Sequence, residues 1–144
     1  MPRLAARRIR VPDLLAMERI LQDSEHSEVG SWSHGYKAFN QLDQRFHAIL
    51  LTAADNRFLV QAHRSLNIHV ELGRFYRAFG TVDQEQTCYE HQAIVNALRL
   101  HNPDLAHTAV ETHVTATEGR ILCFFEPVQS APVSAISEMS EKVA

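Results

Sequence analysis

The chain has 144 residues, of which 45% are apolar and 22% are charged, the composition of one globular domain with a hydrophobic core. A formal net charge of −3 and a pI near 6.3 argue against a nucleic-acid-binding surface, which usually needs clustered basic residues and a high pI. The sequence contains no run of ~18 apolar residues and no apolar signal-peptide core, so we expect a cytoplasmic protein without a membrane span.

The first half of the chain predicts three helices, because apolar residues recur there at spacings of three and four. The basic segment before them, residues 3–10, is interpreted as a frayed or solvated terminus rather than a binding arm. The first helix is expected over residues 12–22 and the second over residues 34–54. The third is expected over residues 57–79, since Gly80 follows as a helix stop.

The second half predicts a helical hairpin followed by a tail. A fourth helix is expected over residues 84–100, with Asp83 as its N-cap. A fifth is expected from Pro103 to residue 125, with Asn102 as its N-cap. Residues 127–144 are rich in Ser, Ala and Pro and lack a sustained apolar face, so we expect them to be disordered. The sequence therefore predicts an all-α antiparallel bundle over residues 1–126.

Two polar side chains interrupt the apolar pattern of the second helix. The stretch LDQRFH places Asp43 and His47 four positions apart, so they lie one turn apart on the same face. Phe46 and Ile49 lie on the adjoining apolar arc. Such a pair alone more often forms a salt bridge or a hydrogen bond than a metal site.

His91 and His113 strengthen the metal interpretation. Each lies eleven residues from Asn102, so in an antiparallel hairpin they face each other about 16 Å from the turn. Both share their helix faces with apolar residues and should point inward. Burying an unpaired polar group costs about 1–3 kcal/mol, which one cation bound by both pairs would offset. Three imidazoles and one carboxylate suit Zn, Ni, Co, Fe or Mn better than Mg or Ca. Four separately hydrogen-bonded polar groups remain the alternative.

Side chains that could recognise a ligand lie near these groups in the sequence. Arg64, Asn67 and Arg74 on the third helix, and Thr117 one turn after His113, are candidate effector contacts. Arginine suits a carboxylate because its guanidinium can donate two parallel hydrogen bonds, although both arginines could instead be solvated. His63, one turn before Asn67, is a reserve ligand.

The segments LDQRFHAILLTAADNRFLV and YEHQAIVNALRLHNPDLAHTAVETHV closely resemble the FadR C-terminal domain, FCD. This domain is the effector-binding half of GntR-family bacterial transcription regulators, and the resemblance covers residues 11–123. It implies a bundle of six or seven helices around one divalent transition metal, zinc first, with Ni, Mn, Fe or Co as alternatives. The implied ligands are Asp43, His47, His91 and His113, and open metal positions commonly take the carboxylate of a small organic or sugar acid.

The resemblance also implies a homodimer and a binding domain rather than an enzyme, with DNA contacted only through a winged helix-turn-helix domain. Ten residues precede VPDLLAMERILQ, so we expect a fragment of a longer regulator or a stand-alone effector domain, with LAARRIR as the last turn of the family's first helix. One alternative is a metal-dependent hydrolase, for which neither Glu90 nor Glu111 is well placed as a general base. Another is a structural helical dimer module without metal.

Overall fold

The computed structural model describes residues 1–26, 35–66 and 84–125, and within these ranges every regular element is a helix. This confirms the predicted all-α fold, with bounds close to the predicted ones. The predicted extension of the third helix to residue 79 and the tail 127–144 lie outside the described residues. In chain order the described helices are α1 (Pro2–Arg8), α2 (Val11–Glu25), α3 (Gly35–Ala53), α4 (described over 57–66), α5 (Gln84–Arg99) and α6 (Pro103–Phe125).

The basic N-terminal segment is an ordered helix, so the expectation that it frays is wrong. Ala5 and Ala6 of α1 are fully buried, and α1 packs against α3, α5 and α6. The small alanine side chains let the helix approach its neighbours closely, while the arginines stay at the surface. Arg3 pairs with Asp104 of α6, and Arg8 donates a hydrogen bond of 2.9 Å to the carbonyl of Ala54. These basic side chains therefore contact the bundle itself.

The hairpin between α5 and α6 is closed by a left-handed cap. His101 has φ of +47°, and the amide of Asn102 donates to the carbonyl of Ala97 at 3.2 Å, as in a Schellman motif. The His101 ring lies 2.8 Å, through Nδ1, from the carbonyl oxygen of Ala6. Since a carbonyl only accepts, Nδ1 carries the hydrogen, and the cap thereby holds α1 as well.

Asn102 is the N-cap of α6, as the sequence predicts. Its Oδ1 accepts hydrogen bonds of 3.1 Å from the amides of Asp104 and Leu105. We expect Asn102→Ala to lower the free energy of unfolding by about 1 kcal/mol, because two amides lose their acceptor. Asn102→Asp keeps an acceptor and serves as the control. Equal urea midpoints for the two variants would contradict this role.

The core runs through the centre of the bundle and reaches the polar residues of interest. Phe46 and Leu50 of α3 pack with Ile94 and Leu98 of α5 in one buried cluster, to which α1 and α2 also contribute. α5 packs against α1, α2 and α6. None of the described helices is both long and apolar enough to cross a membrane.

Candidate metal centre and cavity

Three histidines from three helices meet in the interior of the bundle. One ring nitrogen from each of His47, His91 and His113 lies within 4.8 Å of the others. Asp43 Oδ1 lies 3.6 Å from Nε2 of His47 and 3.6 Å from Nε2 of His91. Asp43, His91 and His113 are each at most 4% exposed. We call these four residues the histidine cluster.

Helix geometry explains how the chain brings the cluster together. Asp43 and His47 share one face of α3 because they lie four residues apart. His91 and His113 face each other across the α5–α6 hairpin with ring centroids 4.6 Å apart, at equal distances from its turn. The Phe46 ring stacks on His91 at 4.0 Å between centroids and an interplanar angle of 8°. The buried aromatic thus fixes one imidazole of the cluster.

The donor set fits a transition metal. Ligands bound at ~2.0–2.1 Å to one ion lie about 3–4 Å from one another, and the two Asp43–histidine distances fall within that range. Burial lowers the pKa of His113, and the proximity of His47 lowers it further, against the raising effect of Glu90 and Asp43. Both effects favour the neutral form of His113, which is the form of imidazole that binds metals.

A buried carboxylate next to the cluster was not predicted as a site residue. Glu90 is 4% exposed, and its Oε2 lies 2.8 Å from Nδ1 of His113. Arg120 donates to both of its oxygens, at 2.7 and 2.9 Å, and Gln86 donates to Oε1 at 3.1 Å. Burial raises the pKa of Glu90, but the hydrogen bonds from Arg120, Gln86 and His113 outweigh it and hold the pKa at about 2. Glu90 is thus ionised.

The sequence contains a pattern that could have revealed this arrangement. Arg120 follows His113 by seven residues, or nearly two full turns, so both lie on one face of α6. Glu90 precedes His91, and neighbouring helix residues point about 100° apart. The sequence argument took this angle to direct Glu90 away from the site. In the structure, the same angle directs the Glu90 side chain towards α6, where its carboxylate contacts Nδ1 of His113.

A cavity of about 550 Å³ opens beside the histidine cluster. Asp43, His47 and His113 line it, and most of its remaining wall is apolar. Its apolar lining comes from α3, α4, α6 and Met1, and the helices contribute Leu50, Leu51, Leu66, Val110, Val114 and Ile121 among others. The size falls in the range of small-molecule sites, about 300–1,000 Å³, and the polar groups converge at one side.

The predicted effector contacts differ in their position relative to the cavity. Thr117 lines the cavity, and so does His63, whose ring centroid lies 6.2 Å from that of His47. Burial lowers the pKa of His63, with a further contribution from His47. Arg64 is exposed and does not belong to the described cavity lining. Asn67 and Arg74 lie outside the described residues.

Comparisons with known proteins agree with the resemblance seen in the sequence. The model of the FCD domain family matches residues 1–116. A relative in Escherichia coli (strain K12), the probable HTH-type transcriptional regulator LgoR, is 30% identical over 109 residues, which are 73% of this chain and 33% of LgoR. The chain thus spans about a third of the length of this curated relative. With most of its length matched by the family model, the chain belongs to the FCD domain family.

Proposed function

We propose that the chain is a metal-dependent, small-molecule-sensing domain of a bacterial transcription regulator. The observation that carries this proposal is the meeting of three imidazoles and one carboxylate at the edge of a mostly apolar cavity. Three imidazoles and one carboxylate converging at one point form a donor set that a single divalent transition metal can bind. Membership of the FCD family supports the same conclusion.

The proposed ligands of the metal are Asp43, His47, His91 and His113. When bound, a divalent transition metal, zinc first, with Ni, Mn, Fe or Co as alternatives, supplies an electrophilic centre with positions open to a ligand. His47 is the ligand with a side chain 20% exposed, while those of the buried members are at most 5% exposed. The open positions are therefore expected on the side of His47, towards the cavity.

The proposed effector is a small organic or sugar acid. Its carboxylate would lie against the histidine cluster, and the hydroxyl of Thr117 would donate to or accept from its polar groups. The apolar side of the cavity would exclude water from the contact, which strengthens the electrostatic attraction there. Asn67 and Arg74 stay candidate contacts by sequence, and the exposed position of Arg64 makes it the weakest of the set.

Binding rather than catalysis is the activity that the site supports. Glu90, the carboxylate nearest the histidines outside the cluster, is already bonded to Arg120 and His113, and Glu111 is exposed beside His107. Neither is free within the cavity to serve as a general base. Glu118, which lines the cavity, is the carboxylate that a hydrolase would use, and turnover of simple esters tests that alternative. We propose that the effector shifts a cytoplasmic homodimer between two arrangements, and that DNA is contacted by a helix-turn-helix domain, as the name of LgoR suggests.

The test combines metal analysis with calorimetry. The protein is purified without added metal, its metal content is measured by elemental analysis, and a panel of small carboxylates is titrated into the metal-loaded protein. Val114→Trp should narrow the cavity and weaken binding at least about tenfold, since Val114 lines it. Leu105→Trp, on the same helix but outside the described lining, is the matched control.

We expect about one transition metal per chain and saturable binding of at least one acid, with Leu105→Trp binding like the wild type. Metal-free protein with no affinity for added Zn²⁺ would overturn the metal part of the proposal. Binding that is equal in both tryptophan variants would show that the acid binds elsewhere. Turnover of simple esters that stops on chelation would favour the hydrolase instead.

A further inference from the structure

We infer that Glu90 and Arg120 are positioning residues that hold the proton of His113 on Nδ1 and so leave Nε2 as its metal-binding nitrogen. This inference rests on the proposed metal site. It assigns a role to two residues outside the histidine cluster, and it concerns a proton position that can be measured without metal.

The proton position follows from the acceptor. Oε2 of Glu90 lies 2.8 Å from Nδ1 of His113, and both side chains are 3% exposed. Both oxygens of Glu90 accept hydrogen bonds from the guanidinium of Arg120, which is the geometry of a carboxylate without a hydrogen to donate. The hydrogen of the contact with His113 therefore belongs to Nδ1. A neutral imidazole carries one N–H, and its second nitrogen is then the one with a free lone pair. That nitrogen is Nε2.

Arg120 keeps Glu90 in this state and in this orientation. Its two terminal nitrogens contact the two oxygens of Glu90 at 2.7 and 2.9 Å, a bidentate geometry that fixes the carboxylate plane. Gln86 donates to Oε1 at 3.1 Å, so with His113 the carboxylate accepts four hydrogen bonds. A carboxylate accepts about four, and this one therefore has little freedom to turn away from His113.

The arrangement also connects the cavity wall to the cluster. Nη2 of Arg120 donates to Oγ1 of Thr117 at 3.0 Å, and Thr117 lines the cavity. A chain of hydrogen bonds thus runs from Thr117 through Arg120 and Glu90 to His113. Outer partners of this kind typically change metal affinity about 10–100-fold when they are removed.

The first experiment measures Zn²⁺ affinity by competition with a coloured chelator for the wild type, Glu90→Gln and Arg120→Met. Both variants should bind Zn²⁺ about 10–100-fold more weakly. Glu18→Gln is the matched control, because it breaks the pair of Glu18 with Arg99 on the surface and leaves the cluster intact. Affinities of both site variants within twofold of the wild type would overturn the inference. If Glu90→Gln does not fold, the Zn²⁺ affinity of Arg120→Met alone tests the inference.

The second experiment records long-range ¹⁵N–¹H NMR spectra of the metal-free protein, with His113→Gln used to assign the ring. We expect the Nδ1–H form for His113 in the wild type and in Glu18→Gln, and a larger share of Nε2–H in Arg120→Met. An Nε2–H ring in the wild type would overturn the inference, whatever the metal result. The Nδ1–H form in a protein that binds no Zn²⁺ would instead refute the proposed metal site and leave the proton assignment standing.

Discussion

Removing the proposed metal is expected to lower the melting temperature of the protein by about 10–20 °C. A ligand that binds only the folded state at a thousand times its Kd adds about 4 kcal/mol of stability. For a chain of 144 residues, each kcal/mol corresponds to about 3–5 °C. The site joins α3, α5 and α6, so its loss should destabilise the bundle as a whole. Thermal unfolding followed by circular dichroism, before and after dialysis against a chelator, measures the change.

Asp43→Asn is the control for the chelator experiment. The amide has nearly the shape of the carboxylate, but it is a weak metal ligand, so the variant should melt at a similar temperature with and without chelator. Re-addition of Zn²⁺ should restore the wild type and have little effect on the variant. A wild type that melts at the same temperature in chelator and in Zn²⁺ would favour a metal-free bundle with four hydrogen-bonded polar groups.

Local sequence rules predicted most of the described helices because their ends have local causes. Asn102 and Pro103 mark the N-terminus of α6. The helical spacing of Phe39, Phe46 and Leu50 identifies the buried face of α3. Hairpin symmetry also placed His91 opposite His113, since two helices joined by a short turn have only one register. These features need no knowledge of distant contacts.

Other features depend on contacts that local rules do not contain. The arginines of residues 3–10 favour a frayed or solvated terminus when the segment is considered alone. The two buried residues Ala5 and Ala6 decide its packing instead. The position of Glu90 next to His91 in the sequence argues against a role as general base. Its actual partners, Arg120 and His113, lie on another helix, so local rules cannot identify them. Local rules also do not determine which face of α4 lines the cavity. The structure places His63 in the cavity lining and not Arg64.

Phe46→Ala is expected to have the largest effect of any single apolar substitution considered for this protein. Phe46 is fully buried, belongs to the main core cluster and stacks on His91. Truncation of a buried phenylalanine costs about 3–5 kcal/mol, from lost apolar contacts and from the cavity left behind. Small domains have only about 5–15 kcal/mol in total, so the variant should lose a large share of its stability. Urea unfolding in chelator measures this loss without a contribution from metal.

Phe58→Ala is the matched control, because Phe58 of α4 is 67% exposed and contacts the guanidinium of Arg57. It should cost less than about 1 kcal/mol. Equal costs for the two variants would show that Phe46 is not a core residue. Phe46 also contacts His47 edge-on, with ring centroids 5.6 Å apart. The same substitution should therefore weaken Zn²⁺ binding in whatever fraction stays folded, since two of the proposed ligands lose the surface that orients them. In this domain the ring of Phe46 thus contributes both to the packing of the core and to the orientation of two proposed metal ligands.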